Sequence, residues 1–298
     1  MNSLVDKVYV LYIYEAEIEK FKELYKKSKV DFNYQLFLGV NGNLFHDYFR
    51  NFLSIRREEV KNNEIYKKLL LLINNKKYFL KNEKQLGHTR SFISIFKNAK
   101  KNNYKKICIL ESDVIFINDF NERINKYQDL IKNSKLFYLG SNDSKIRRTT
   151  SLFPFDDERM LEKIIRERPK LSDEEYKELL EKKRQNYYKK RAIHKERIEQ
   201  NNILLEAVGK YHAYCPYGTF AMIIDESLYD IILETLELQV FPTDVLFFYI
   251  QSILKEDEWG VAYPNMIIAD VSHSYILQER HQEKFADGRG WDLEKYCN

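Results

Sequence analysis

Four apolar residues in a row, Ile107-Cys108-Ile109-Leu110, stop abruptly at Glu111-Ser112-Asp113. A run that short and continuous suits a strand covered on both faces, as in a parallel sheet with helices on either side. The acids then lie at the strand's C-terminal end, beside which open α/β sheets bind ligands. If the backbone stays extended, side chains two apart share a side, and Glu111 and Asp113 converge. The fold class that follows is α/β, a Rossmann-type nucleotide-binding domain.

The surrounding pattern agrees. Val8 to Tyr14 reads as a first buried strand. Glu15 to Lys27 carries Ile18, Phe21, Leu24 and Tyr25 at helical spacing, and Phe32 to Val40 reads as a second strand halted by Asn41-Gly42. This is a βαβ unit. Gly87 opens a helical segment with Phe92, Ile95, Phe96 and Ala99 on one face, and Leu136 to Leu139 is another strand, closed by Gly140. From Asp156 to Asn202 charges of both signs alternate without a glycine, and Ser172 with Glu175 offers a capping box. The expected division is therefore 1–155, a charged helical insertion at 156–202, and 203–298. The insertion is ordinarily a solvated helical face; its sharper reading is a homodimerisation or acceptor-docking arm. The core resumes with Ala213 to Ile224, turning at Tyr217-Gly218-Thr219. Ser227 to Leu236 is helical, Pro242-Thr243-Asp244 caps an apolar helix through Leu254, and Gly260 to Ala269 is a late strand.

Composition narrows the function. The 298 residues include 49 basic and 45 acidic side chains, a net charge of +4 with no like-charged block, which argues against nucleic acid as the main partner. Cys108, Cys215 and Cys297 have no zinc or disulfide spacing, which fits a reducing compartment. Met1 to Asp6 lacks the features of a signal peptide, and the apolar runs Lys68 to Ile73 and Val245 to Leu254 are too short or too polar to span a bilayer. The expectation is a cytoplasmic protein without a membrane span. The 22 tyrosines and 19 phenylalanines suggest stacking surfaces, although a bias of composition is the simpler explanation.

Candidate chemistry gathers around the acids. Transfer from a nucleoside diphosphate needs charge neutralised on the leaving group, and a hard divalent cation on oxygen ligands does this. Glu111 and Asp113 are the candidate ligands, and His273, after the last strand, is a third or an ordinary solvated loop residue. Asp244 reads as a helix cap or as a general base for an acceptor hydroxyl, and Asp143 as a second acid at the rim or an ordinary loop residue. His88 and Arg90, taken as lying at a helix start, would face a diphosphate or fill ordinary capping or surface roles. Tyr12 and Tyr14 would stack on a base or simply pack in the strand.

In this order the motifs resemble glycosyltransferase family 25. The resemblance rests on Gly39-Val40-Asn41-Gly42, Gly87-His88-Thr89-Arg90-Ser91, the run Ile107 to Val114, Phe137-Tyr138-Leu139-Gly140-Ser141, Tyr217 to Ala221, Pro242-Thr243-Asp244 and Tyr263-Pro264. It implies a GT-A-like fold, a UDP-sugar donor, manganese (or magnesium) and inversion without a covalent intermediate. Segment 1–155 would bind the donor through Tyr12, Asn41, His88, Arg90, Ser91, Glu111 and Ser112. Asp113 would bind metal with support from Glu111, and Asp244 would act near a protein or glycan acceptor on 203–298. Three departures stand out: Ser112 replaces an Asp, Ser91-Phe92 replaces a Ser-His pair, and the first strand lacks the family's Asn-Leu-Asp with a trailing Arg.

The alternatives are a nucleotidyltransferase or sugar-nucleotide hydrolase, and a degenerate, non-catalytic relative kept as a binding scaffold. A Walker-type glycine loop is absent from the sequence, which counts against ordinary NTPases.

Overall fold

A computed structural model of the chain describes residues 1–73, 78–142, 208–211, 218–273, 281–289 and 291–296. In chain order over these residues the elements are β1 (Lys7–Tyr12), α1 (Glu15–Lys27), β2 (Gln35–Leu38), α2 (Phe49–Val60), α3 (Glu64–Ile73), α4 (Glu83–Lys101) and β3 (Lys106–Glu111). Then come β4 (Val114–Phe116), α5 (Phe120–Lys126), α6 (Gln128–Asn133), β5 (Leu136–Tyr138), β6 (Lys210–Tyr211) and β7 (Ala221–Asp225). The chain closes with α7 (Tyr229–Leu236), α8 (Thr243–Ile253), β8 (Trp259–Ala262), β9 (Ile267–Ala269) and α9 (Gln282–Arg289). Residues 1–147 and 209–298 form one compact unit. The expected helical insertion at 156–202 lies outside the described residues.

The seven-stranded sheet has the order β2-β1-β3-β7-β5-β8-β6. β1, β2, β3, β5 and β8 run one way and β7 and β6 run against them, so the sheet is mixed but mostly parallel, a Rossmann-like α/β arrangement. β3 lies in its interior, between β1 and β7, and Ile107 to Leu110 are fully buried, as a strand covered on both faces requires. Cys108 is a free thiol there, and burial pushes its pKa up.

Local chemistry sets the element ends. α1 has Glu15 and Glu17 in its first turn and Lys26 and Lys27 in its last, matching the helix dipole. Ser28 closes it by donating from N and Oγ to the Leu24 carbonyl, and Lys29 follows at φ 51°. β2 is shorter than Phe32 to Val40 because the Tyr25 hydroxyl satisfies both backbone groups of Phe32, accepting its N–H at 3.2 Å and donating to its carbonyl at 2.5 Å. α4 begins four residues before Gly87, at Glu83, where the Asn82 side chain accepts the Gln85 N–H at 3.0 Å. The expected late strand divides in two: β8 joins the main sheet, and β9 pairs with β4 in a separate ribbon beyond Tyr263-Pro264. That peptide bond is cis.

The ribbon fits against the main sheet through Gly140. A Cβ there would lie 1.8 Å from the Ile267 carbonyl oxygen. The Leu139 carbonyl in turn accepts the N–H groups of Met266 and Ile267 at 2.7 and 3.1 Å.

Candidate active site

The C-terminal ends of β1, β2, β3 and β5 and the start of β7 form one edge of the sheet. Glu111 ends β3, and its N–H donates to the Phe220 carbonyl at 2.8 Å. Ser112 donates from its backbone to the Leu11 carbonyl at 2.9 Å, which ties this acidic end to β1. Asp113 precedes β4, whose register places Val114 opposite Ala269. One step further along that ladder the Asp270 N–H donates to the Asp113 carbonyl at 2.6 Å. Two acids distant in sequence thus become neighbours by strand pairing.

Desolvation, then Glu111, Glu17 and Asp270 in that order of influence, push the Asp113 carboxyl well above the ordinary value of 3.8. No basic side chain among the described residues pairs with it. Asp270 is different. Burial acts to raise it, but Lys20 at 2.5 Å and the Ser272 hydroxyl hold it below its ordinary value. Glu17 reaches in from the first turn of α1, accepting the Ile13 N–H at 2.9 Å and the Ser112 hydroxyl at 2.8 Å. Ser112 therefore serves the site by orienting another carboxylate. Sequence reading missed Glu17, because nothing local signals that its helix turn lies beneath Ser112.

On the other flank, His88 lies between two elements. Its Nε2 is 3.0 Å from Glu111 Oε1 and its Nδ1 is 2.9 Å from Thr243 Oγ1. Phe92 packs its ring 4.8 Å from the imidazole. Asp244, next to Thr243, has its carboxyl pushed above 3.8 by burial; the Val245 N–H and His88 oppose the shift and Glu111 adds to it. Glu111, His88 and Asp244 are thus within one electrostatic neighbourhood.

Several expectations are corrected here. Because α4 starts at Glu83, His88 and Arg90 lie in its second turn, not at its N-terminus, and the open amide groups of that end belong to earlier residues. Arg90 donates from Nε to Gln239 at 2.8 Å and stacks over Phe45 at 4.4 Å, so it braces the fold. Ser91 is fully buried; its hydroxyl donates to the Gly87 carbonyl and accepts the Val40 N–H, which fixes the loop after β2. Neither Thr243 nor Asp244 is the cap of α8: Pro242 holds that position, and Asp244 accepts the adjacent Val245 N–H at 2.9 Å. Tyr12 ends β1 half-buried, with its carbonyl accepting the Gly39 N–H at 2.7 Å. The Asn41 side chain accepts the Asn43 N–H at 3.0 Å and caps the short 3-10 turn Gly42–Phe45. Asp143 and the His273 side chain lie outside the described residues.

Of the expected metal set, Glu111 and Asp113 lie among the described residues and the His273 side chain does not. Among the described residues no group of three or more His, Cys, Asp or Glu is arranged to hold a metal, and the Glu111 oxygen facing α4 is engaged by His88. The donor chemistry fits a cation that takes one protein carboxylate and completes its shell from phosphate oxygens, the common arrangement for small hard ions. Asp113 is crowded by like charge and lacks a basic partner among the described residues.

A sequence model of a family described as Glycosyltransferase family 25 (LPS biosynthesis protein) matches residues 17–194, more than half of the chain. No curated protein matches it.

Proposed function

Because the chain belongs to glycosyltransferase family 25, we propose that it moves a sugar from a UDP-sugar to a hydroxyl on a protein or glycan acceptor, with inversion and with a divalent metal ion, manganese or magnesium. The observation that carries this reading is that Glu111, at the end of β3, acts electrostatically on both Asp113 and Asp244, each pushed toward the protonated form.

In this reading Asp113 holds the metal, with Glu111 in support. When bound, the ion supplies neutralisation of charge on the leaving diphosphate. Asp244 is the base. The acceptor oxygen attacks the anomeric carbon from the face opposite the diphosphate, and the carbon–oxygen bond to the diphosphate breaks with its electron pair. The hydroxyl proton passes to Asp244. Burial raises the proton affinity of this carboxylate and so makes it a better base wherever it remains ionised. His88 orients Glu111, and Glu17 is oriented by Ser112.

The test is product analysis with a panel of UDP-sugars, manganese and hydroxyl acceptors. UDP formed in step with a glycosylated acceptor supports the reading. Free sugar without that product indicates a hydrolase, and no turnover with any donor indicates a non-catalytic binding protein.

A further inference from the structure

Thr243 opens α8, yet it does nothing for the N-terminus of that helix, which has no side-chain cap. Its hydroxyl is spent on α4, 2.9 Å from His88 Nδ1 and 3.2 Å from Thr89 Oγ1. Both threonines are buried, so these contacts replace water. An ionised Glu111 only accepts, so the His88 Nε2 facing it carries a hydrogen. With a neutral ring, Nδ1 is bare and takes the Thr243 O–H. With a charged ring, Nδ1 donates, Thr243 turns its proton to Thr89, and the Thr89 hydroxyl donates to the Gln85 carbonyl at 3.1 Å. The chain Glu111–His88–Thr243–Thr89 is complete in both arrangements, without moving a heavy atom. Phe92, fully buried, backs the imidazole and limits its rotation.

We propose that Thr243 is a positioning residue of the transfer site: through His88 it fixes the first turn of α8, and Asp244 with it, against Glu111 at the end of β3. The proposal rests on the reading of Asp244 and Glu111 as parts of that site. Sequence reading treats Thr243 as a capping residue, and its placement between two elements gives it a different use. Valine in its place keeps the volume but leaves Nδ1 and Thr89 without this partner. The turn bearing Asp244 then loses its only hydroxyl link to α4 among the described residues. Small misplacements of reacting groups are costly in rate.

The experiment compares Thr243→Val and Thr243→Ser in the full chain. Valine is expected to lower kcat by about 10- to 100-fold, the usual cost of losing a residue that orients site ligands. The donor KM should stay within about threefold, since the loss falls on the transition state and not on ground-state binding. Serine, which keeps the hydroxyl, should restore most of kcat. A second readout needs no turnover: the imidazole 15N shifts of His88, assigned against His88→Gln, should move with valine and return with serine. If the wild-type chain transfers no sugar, the transfer reading has failed, and the imidazole shifts alone decide whether the His88 link exists. Wild-type kcat in Thr243→Val, or unmoved His88 shifts, overturns the proposal.

Discussion

Asp113 is surrounded by Glu111, Glu17 and Asp270, and burial adds to their repulsion. Its pKa in the folded protein exceeds the unfolded value near 3.8, so the folded state holds the extra proton between the two. The associated stability is fully present below the unfolded value and is lost as pH rises through the folded one. Asp113→Asn removes this dependence. The variant should melt higher than wild type at neutral pH, by about 2–4 °C for each kcal/mol relieved, with the gap closing as pH falls toward 3.8. A scanning calorimetry series across pH checks it; equal melting at neutral pH would contradict the account. Asp244 leads to a kinetic prediction. Asp244→Asn should lower kcat by about 10²- to 10⁴-fold while UDP still binds. In the wild type the acid limb of the pH–rate profile should lie above 3.8, since protonation removes the base. Of these residues Glu111 and Asp113 were legible in the sequence, because an apolar run ending in acids is a local signal. Glu17, Asp270 and Thr243 were not, since each reaches the site through pairing or packing between distant segments.

At the scale of elements, the approach of α4 to the loop after β2 depends on two glycines. A Cβ on Gly87 would lie 2.6 Å from the Val40 carbonyl oxygen and 2.7 Å from Gly42 Cα. A Cβ on Gly42 would lie 2.4 Å from the Glu83 carbonyl. Backbone lies on both sides, so neither contact yields by a rotamer change. Gly87→Ala should destabilise by about 1–3 kcal/mol and reduce activity by displacing the adjacent His88, measurable by urea unfolding and transfer assay. An unchanged midpoint and rate would refute this use of the glycines. The sequence made α1 legible to its ends through the apolar spacing of Ile18, Phe21, Leu24 and Tyr25, and its terminal charges suit the helix dipole. It misjudged β2 and α4, where a tyrosine hydroxyl and an asparagine cap set the boundaries. The span Gly260 to Ala269 looked like one strand because composition does not report which sheet a strand joins.

For the whole molecule, every described strand and every described site residue falls within 1–147 or 209–298, which form one compact unit. A chain with 156–202 replaced by a short linker should keep cooperative melting and UDP binding. A change in its sedimentation or acceptor use would assign that segment the dimerising or docking role read from its charge pattern; loss of folding would refute its independence. Among the described residues no helix is long and apolar enough to cross a membrane. The sheet order and β7 running against its neighbours were not legible in sequence, because pairing is decided between segments that are far apart. In the proposed reading Asp113 and a divalent cation hold the donor's diphosphate. Calorimetric titration of UDP, with and without manganese, into wild type and Asp113→Ala tests it most directly. The account predicts manganese-dependent UDP binding that the substitution abolishes. Equal binding by both proteins, or wild-type binding indifferent to the metal, would contradict it.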